Sequence, residues 1–375
     1  MTAPVNDALE KSFLTHAHYL RAFAQLAGFS FWPNKDLAAL QTLAQRVATA
    51  FPAPKAIPTV DINELTKCLN RAWGTELLLG LASKFEEDEL VRLSNSWGSV
   101  QTYYVGYAAT QALIIAEGRS RPTDHPKTQS QVRALWVERQ SAVEPFSFAA
   151  MPGCKSNPSA YANGPGRPID AGVTGWPTVG STNCWDIAAT ALRSTRNDAV
   201  AKKLQEARVK KAREKKKAWH TEEADRLAQG KKPRKEPAFS STANLTKPER
   251  SALEAGVRPY TMLDYLFRLR IKANYEEAAM FTDGPTTEFA SSGVALDMVR
   301  IASAIMIAHE VRIARLVGKA TLTSLATDWI TKNSATSNLG IAQDADPDHH
   351  CLNVRRHQRA SLRASQLEVL TPCVT

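Results

Sequence analysis

Arg270, with Asn274 and Tyr275 four and five residues further on, stands in a stretch that otherwise has the spacing of a core helix, RPYTMLDYLFRLRIKANYEEAAMF (Arg258 to Phe281). Stepping by three and four from Leu263 gives Phe267, Arg270, Asn274 and Ala278, so a guanidinium and an amide continue an apolar face. A buried guanidinium needs a partner. Two readings follow: a carboxylate on a neighbouring helix, or a cleft in which Arg270 and Asn274 hold something charged. A second group, RSRPTDHPKTQ, places Arg119, Arg121 and Lys127 around His125 at the start of a short helix. Helix N-termini attract anions, so His125 is a candidate phosphate contact or general base. His309, inside an apolar run, is either a satisfied core histidine or a further base.

Charge is concentrated in a third place. Val200 to Glu236 holds 14 Lys and Arg against 6 acids, most of the net +10 of the chain. Lys210, Lys211, Arg213, Lys215, Lys216 and Lys217 form its densest part, and Glu206 with Lys210 and Lys210 with Glu214 have helix-supporting spacing. Too few apolar residues accompany them to bury a face. The expectation is a solvated helix followed by a GKKPRKEP linker, serving either solubility or contact with nucleic acid.

The elements that must position these groups are helical. Leu37, Leu40, Leu43, Ala44 and Val47 repeat at helical spacing, as do Leu65, Leu69, Trp73 and Leu77. SWGSVQTYYVGYAATQALIIAEG (Ser96 to Gly118) predicts a core helix whose Gly106, Ala108 and Ala109 admit a close neighbour, with Gly118 as its stop. Thr261 and Asp264 form a capping box that starts the helix of Arg270. Val294, Met298, Ile301 and Ile305 predict a long central helix ending near Gly318. Between Met151 and Gly180, 11 of 30 residues are Gly or Pro, which predicts irregular loop; GPGRP there lacks the glycine spacing of a phosphate loop. Beyond Ile330 the chain reads as a mobile polar tail.

Composition excludes several classes. The cysteines Cys68, Cys154, Cys184, Cys351 and Cys373 are scattered, odd in number and without CxxC spacing, the usage of a reducing compartment. No signal peptide is visible, and the apolar run Ile301 to Ala308 is too short to span a bilayer, so a cytoplasmic location without membrane contact is expected. No histidine or cysteine spacing matches a metal site: His16 and His18 point to different helix faces, and His349, His350, Cys351 and His357 match no zinc pattern. No metal or cofactor is expected.

YYVGYAATQALIIAEG with its basic turn and His125, then RLRIKANYEEAAMF, then a long helix ending HEVRIARLVG, resembles in that order the HEPN superfamily, over about 130 of 375 residues. It is most similar to small prokaryotic members in which a tyrosine-rich helix leads to a turn histidine and a later helix carries Arg, then Asp or Asn and Tyr, here Arg270, Asn274 and Tyr275. The resemblance implies an all-α fold, an up-and-down four-helix bundle. Its halves are 81–139 and 256–330, with an N-terminal helical region (1–80), a loop-rich insertion bearing the basic arm (140–255) and a tail (331–375). It implies RNA binding, a homodimer, and metal-independent endoribonuclease activity within a toxin-antitoxin or phage-defence system, with an antitoxin or defence protein as partner. In that chemistry Arg270 stabilises charge on phosphorus and a histidine acts as base; here the family's histidine position is Tyr275, so His125 or His309 would serve. A silent RNA- or nucleotide-binding module and a helical scaffold are the alternatives.

Overall fold

The structure, a computed structural model, describes residues 7–30, 35–54, 58–82, 88–138, 143–147, 149–152, 178–179 and 181–335. Most of the Gly/Pro-rich loop, with GPGRP, and the tail histidines lie outside the described residues. Among the described residues, helical apolar spacing yields eleven α-helices: α1 (Asp7–Leu26), α2 (Asp36–Ala50), α3 (Ile62–Ala82), α4 (Asp88–Ala116), α5 (His125–Val132), α6 (Cys184–Ala228), α7 (Lys247–Ala255), α8 (Met262–Ile271), α9 (Met280–Asp283), α10 (Glu288–Val317) and α11 (Lys319–Ala335). A two-stranded hairpin, β1 (Thr178–Val179) with β2 (Thr182–Asn183), precedes α6. The protein is all-α in class.

The two most apolar helices, α4 and α10, lie side by side and parallel. Asn95 donates to the Ser291 carbonyl at 3.0 Å near one end, and Thr110 meets His309 at 3.4 Å further along. Gly106 makes the approach possible, since a Cβ there would stand 2.9 Å from Leu263 and 3.4 Å from Ile305. Helix α3 runs antiparallel to this pair, with Ser303 bonded to Glu76 at 3.0 Å and the Trp73 indole donating to Glu310. Helix α8 is antiparallel to α4: Phe267 packs on Tyr103, and Ser96 donates to the Ala273 carbonyl at 3.1 Å. Directions thus alternate through α3, α4, α8 and α10, but α8 packs mainly on α4 and α6, while α1, α2 and α11 cover α10. Length and apolarity alone would let Phe289–Val317 cross a membrane, yet here it is the core helix.

Three buried arginines tie this core together. Arg300 donates to both oxygens of Asp36 at 2.9 and 2.7 Å, joining α10 to α2. Arg196 of α6 donates to the carbonyls of Glu254 and Val257 at 2.6 and 2.9 Å. Arg312 lies between the rings of Phe51 and Trp136, 4.2 and 4.8 Å from their centroids, and donates to the Leu135 carbonyl at 2.6 Å and to Glu117 at 2.8 Å.

His309 is held in the same region. Its Nδ1 meets the Ile305 carbonyl at 2.7 Å, its ring edge faces Trp136 at 5.1 Å, and burial pushes its pKa down to about 3. It stays neutral in the fold while a histidine in the unfolded chain protonates below about 6.5. Its contribution to stability is therefore whole above pH 6.5 and is lost as pH falls toward 3. Unfolding by denaturant at about pH 7 and about pH 4.5 should show His309→Gln losing ~2–3 kcal/mol less than the wild type between the two. Equal losses would exclude this account.

Two boundaries differ from the spacing-based expectation. The Arg258 to Phe281 stretch is not one regular helix: α8 ends at Ile271 and widens into a π-helical turn over Lys272–Glu276 before α9. The basic helix does not begin near Val200: α6 runs unbroken from Cys184 as one helix of 45 residues, about 68 Å long. Nor is the GKKPRKEP segment free. Arg234 folds back onto Glu223 at 2.6 Å, Phe239 packs on Trp219, Ala243 donates to the Arg208 carbonyl at 3.0 Å, and Lys211 holds Glu249 at 2.7 Å. Trp219 of the arm is covered by this strap, between Phe239 and Arg234.

Candidate functional site

Three tyrosines of α4, at i, i+1 and i+4, face one residue of α5 and two of α8. The His125 ring lies 4.5 Å from Tyr107, 5.5 Å from Tyr103, 6.0 Å from Tyr104 and 5.6 Å from Phe267, measured between centroids. The Arg270 guanidinium lies over three of the same rings, 5.3 Å from Tyr104, 5.4 Å from Phe267 and 5.7 Å from Tyr103. Local sequence explains the placement. Gly118, with φ of +76°, stops α4 and turns the chain, and the Asp124 side chain caps α5 by accepting from the Lys127 amide at 2.8 Å, which sets His125 at the first position of the helix. Phe267 and Arg270 share a face of α8 at i, i+3.

Among the described residues no carboxylate pairs with Arg270. The acids that surround α8 are engaged elsewhere: Asp264 by Arg258 at 2.9 Å and by its own capping box, Glu276 by Arg268 at 2.6 Å, and Glu277 by Lys272 at 2.7 Å. Arg270 Nε is buried with no acceptor among the described residues, and its terminal nitrogens bond none of them. Of the two readings of the sequence, the carboxylate partner finds no counterpart among the described residues. A cation held by ring faces and lacking an anion is arranged to receive one.

His125 is the second polar group of the cluster. Its Nδ1 lies 2.7 Å from the Tyr103 hydroxyl, and its Nε2 bonds no described residue. Burial lowers its pKa and the Arg270 charge lowers it further, against a smaller opposing effect of Asp124, so the imidazole is neutral at pH 7. Burial raises the pKa of Tyr103, which remains a phenol.

The other expected site residues are placed as follows. Asn274 is half-buried in the π-helical turn that follows Arg270; such turns are frequent at functional sites. Tyr275 is 72 % exposed and joins none of the ring contacts around His125, because the wider turn swings it outward. His309 belongs to the Trp136 cluster in the core and does not join His125, as described above. Arg119, Arg121 and Lys127 are exposed around the α5 turn and lightly paired, with Glu117 at 3.6 Å, Glu64 at 3.2 Å and Asp124 at 3.2 Å. Surface pairs of this kind are weak and leave the cations usable. On the arm, Lys211 faces the strap, Lys216 lies 3.7 Å from Glu236, and Lys210 stands 3.8 Å from Glu214. Among the described residues Arg213, Lys215 and Lys217 have no acid partner, and Arg213, Lys217 and His220 line a shallow groove along α6.

No family profile matches the chain, and no curated protein or solved structure is similar to it. Its function has to be read from the cluster itself.

That cluster has residues that the polar motifs alone miss. Tyr103, Tyr107 and Phe267 form its walls; the signal for the tyrosines is the YYVGY run, at i, i+1 and i+4 on one side of a helix, and for Phe267 the face it shares with Leu263 and Arg270. Among the described residues no three His, Cys, Asp or Glu converge on one point. The arrangement offers cationic and neutral N–H donors against aromatic faces, the chemistry that holds a phosphate beside an unpaired base.

Proposed function

We propose that this chain is an RNA-binding protein of the HEPN type, a cytoplasmic four-helix bundle that acts as a homodimer in a toxin-antitoxin or phage-defence setting. The observation that carries the RNA reading is Arg270, half-buried on aromatic faces, with no carboxylate among the described residues and next to a neutral histidine. A backbone phosphate satisfies the guanidinium, and an adjacent unpaired base stacks on the exposed part of the tyrosine wall. The basic turn and the arm add charge that follows the rest of the strand. A second reading, metal-independent cleavage with His125 as base, rests on the same pair and on the open Nε2 of His125.

The arm supplies the first test. Lys210, Arg213 and Lys217 lie on the side of α6 turned away from the strap, one turn apart. The purified full chain is mixed with tRNA and single-stranded RNA in EDTA, and binding is followed against salt concentration. Intact RNA should be bound in a salt-sensitive manner. In the triple variant Lys210→Glu, Arg213→Glu, Lys217→Glu, the slope of log affinity against log salt should fall by about two to three. RNA cut in EDTA would establish the nuclease reading. Absence of both binding and cutting would leave a scaffold and overturn the proposal.

A further inference from the structure

We infer that Tyr103 fixes His125 in the tautomer that carries its proton on Nε2, so that the imidazole meets a ligand phosphate as a hydrogen-bond donor and not as a base. The argument starts from a single shared hydrogen bond. Tyr103 is fully buried, and its hydroxyl has His125 Nδ1 as its partner at 2.7 Å and no other among the described residues. Two arrangements are open to a neutral phenol and a neutral imidazole. If Nδ1 carried the proton and donated to the phenol oxygen, the phenol O–H would point into the rings of Tyr107 and Phe267 with nothing to accept it. A buried donor left in that state costs about 1–3 kcal/mol. If the phenol donates to Nδ1, every donor and acceptor of the pair is used, and the imidazole proton sits on Nε2, the nitrogen open to a ligand.

The surroundings keep it there. The groups facing His125 are Tyr103, Tyr104 and Tyr107 from α4, Phe267 and Arg270 from α8, and Asp124 and Lys127 from its own helix. Protonating Nδ1 would add a second cation beside Arg270 and turn the Tyr103 hydroxyl away from its acceptor. Asp124 cannot offset this fully, since its carboxylate is already committed to the Lys127 amide at 2.8 Å and the Lys127 ammonium at 3.2 Å. A ribose hydroxyl would find no lone pair on Nε2 to take its proton; a phosphate oxygen would find an N–H beside a guanidinium. The inference rests on the RNA reading for the identity of the ligand, but the state of the imidazole can be measured without one.

Long-range ¹H–¹⁵N correlation of the histidine rings in the full-length labelled protein, from about pH 5 to 8, reads the tautomer directly. His125→Gln identifies the signal. The wild type should show the Nε2–H form, titrating below the ordinary imidazole value. In Tyr103→Phe the two tautomers should mix and the midpoint should rise. A wild-type signal of the Nδ1–H form, or an unchanged tautomer and midpoint in Tyr103→Phe, would overturn the inference. The wild-type spectrum is decisive alone if the variant fails to fold. Loss of RNA binding with the Nε2–H signal intact would sink the RNA reading and leave the role of Tyr103 standing.

Discussion

Arg312→Ala is expected to destabilise the protein by ~3–5 kcal/mol, the cost of removing one partner from a buried ionic contact. The side chain is only 5 % exposed and ties three separate pieces of chain: the end of α2 through Phe51, the end of α4 through Glu117, and the π-helical turn over Arg133–Val137 through the Leu135 carbonyl. Truncation leaves the Leu135 carbonyl without this donor, removes the 2.8 Å contact to Glu117 and opens a void between two aromatic rings. Arg312→Lys should recover part of the loss at most, because an ammonium cannot reach both acceptors while stacking between the rings. Chemical denaturation checks this. A loss below ~1 kcal/mol would mean that the contact is not a structural tie.

Arg270→Ala should do the reverse. No carboxylate is orphaned and no hydrogen bond among the described residues is lost, so stability should change by less than ~1 kcal/mol. RNA affinity should fall about 10- to 100-fold, the worth of a charge-assisted contact of ~1.5–3 kcal/mol. Arg270→Lys should restore little, since the planar group that rests on three rings is gone. The two readouts together separate a ligand-binding arginine from a packing one. A large stability loss with affinity unchanged would return Arg270 to the structural class.

The fold was legible where period and punctuation agree. The apolar rows of α2, α3, α4 and α10 and the Thr261–Asp264 capping box carry their own instructions, as does Gly118, and each lies where the spacing placed it. The site was legible in part: Arg270 and His125 stood out as polar groups in the wrong surroundings, and they do share one set of rings. What the sequence could not display was which acids were already taken. Whether Arg270 is paired depends on Arg258 claiming Asp264 and Arg268 claiming Glu276, outcomes of tertiary geometry that no spacing reveals. Tyr275 could not be placed for a related reason, because the π-helical turn breaks the period on which any face assignment depends. The strap over the arm was not visible because the residues that cover Trp219, Arg234 and Phe239, lie 15 and 20 positions away on an extended segment with no period at all.

The strap has a wider consequence. Lys203, where α6 leaves the body, donates to the carbonyl of Gly256, where the chain comes back, at 3.2 Å. Everything between them is therefore a cassette with its two ends stitched together, folded on its own small seam of Trp219, Phe239 and the Glu223–Arg234 pair. Such a piece can be lengthened, recharged or exchanged without any helix of the bundle having to learn of it. Evolution could retune what the arm reaches for while the tyrosine cluster keeps its geometry, and the same seam marks where an engineer would cut.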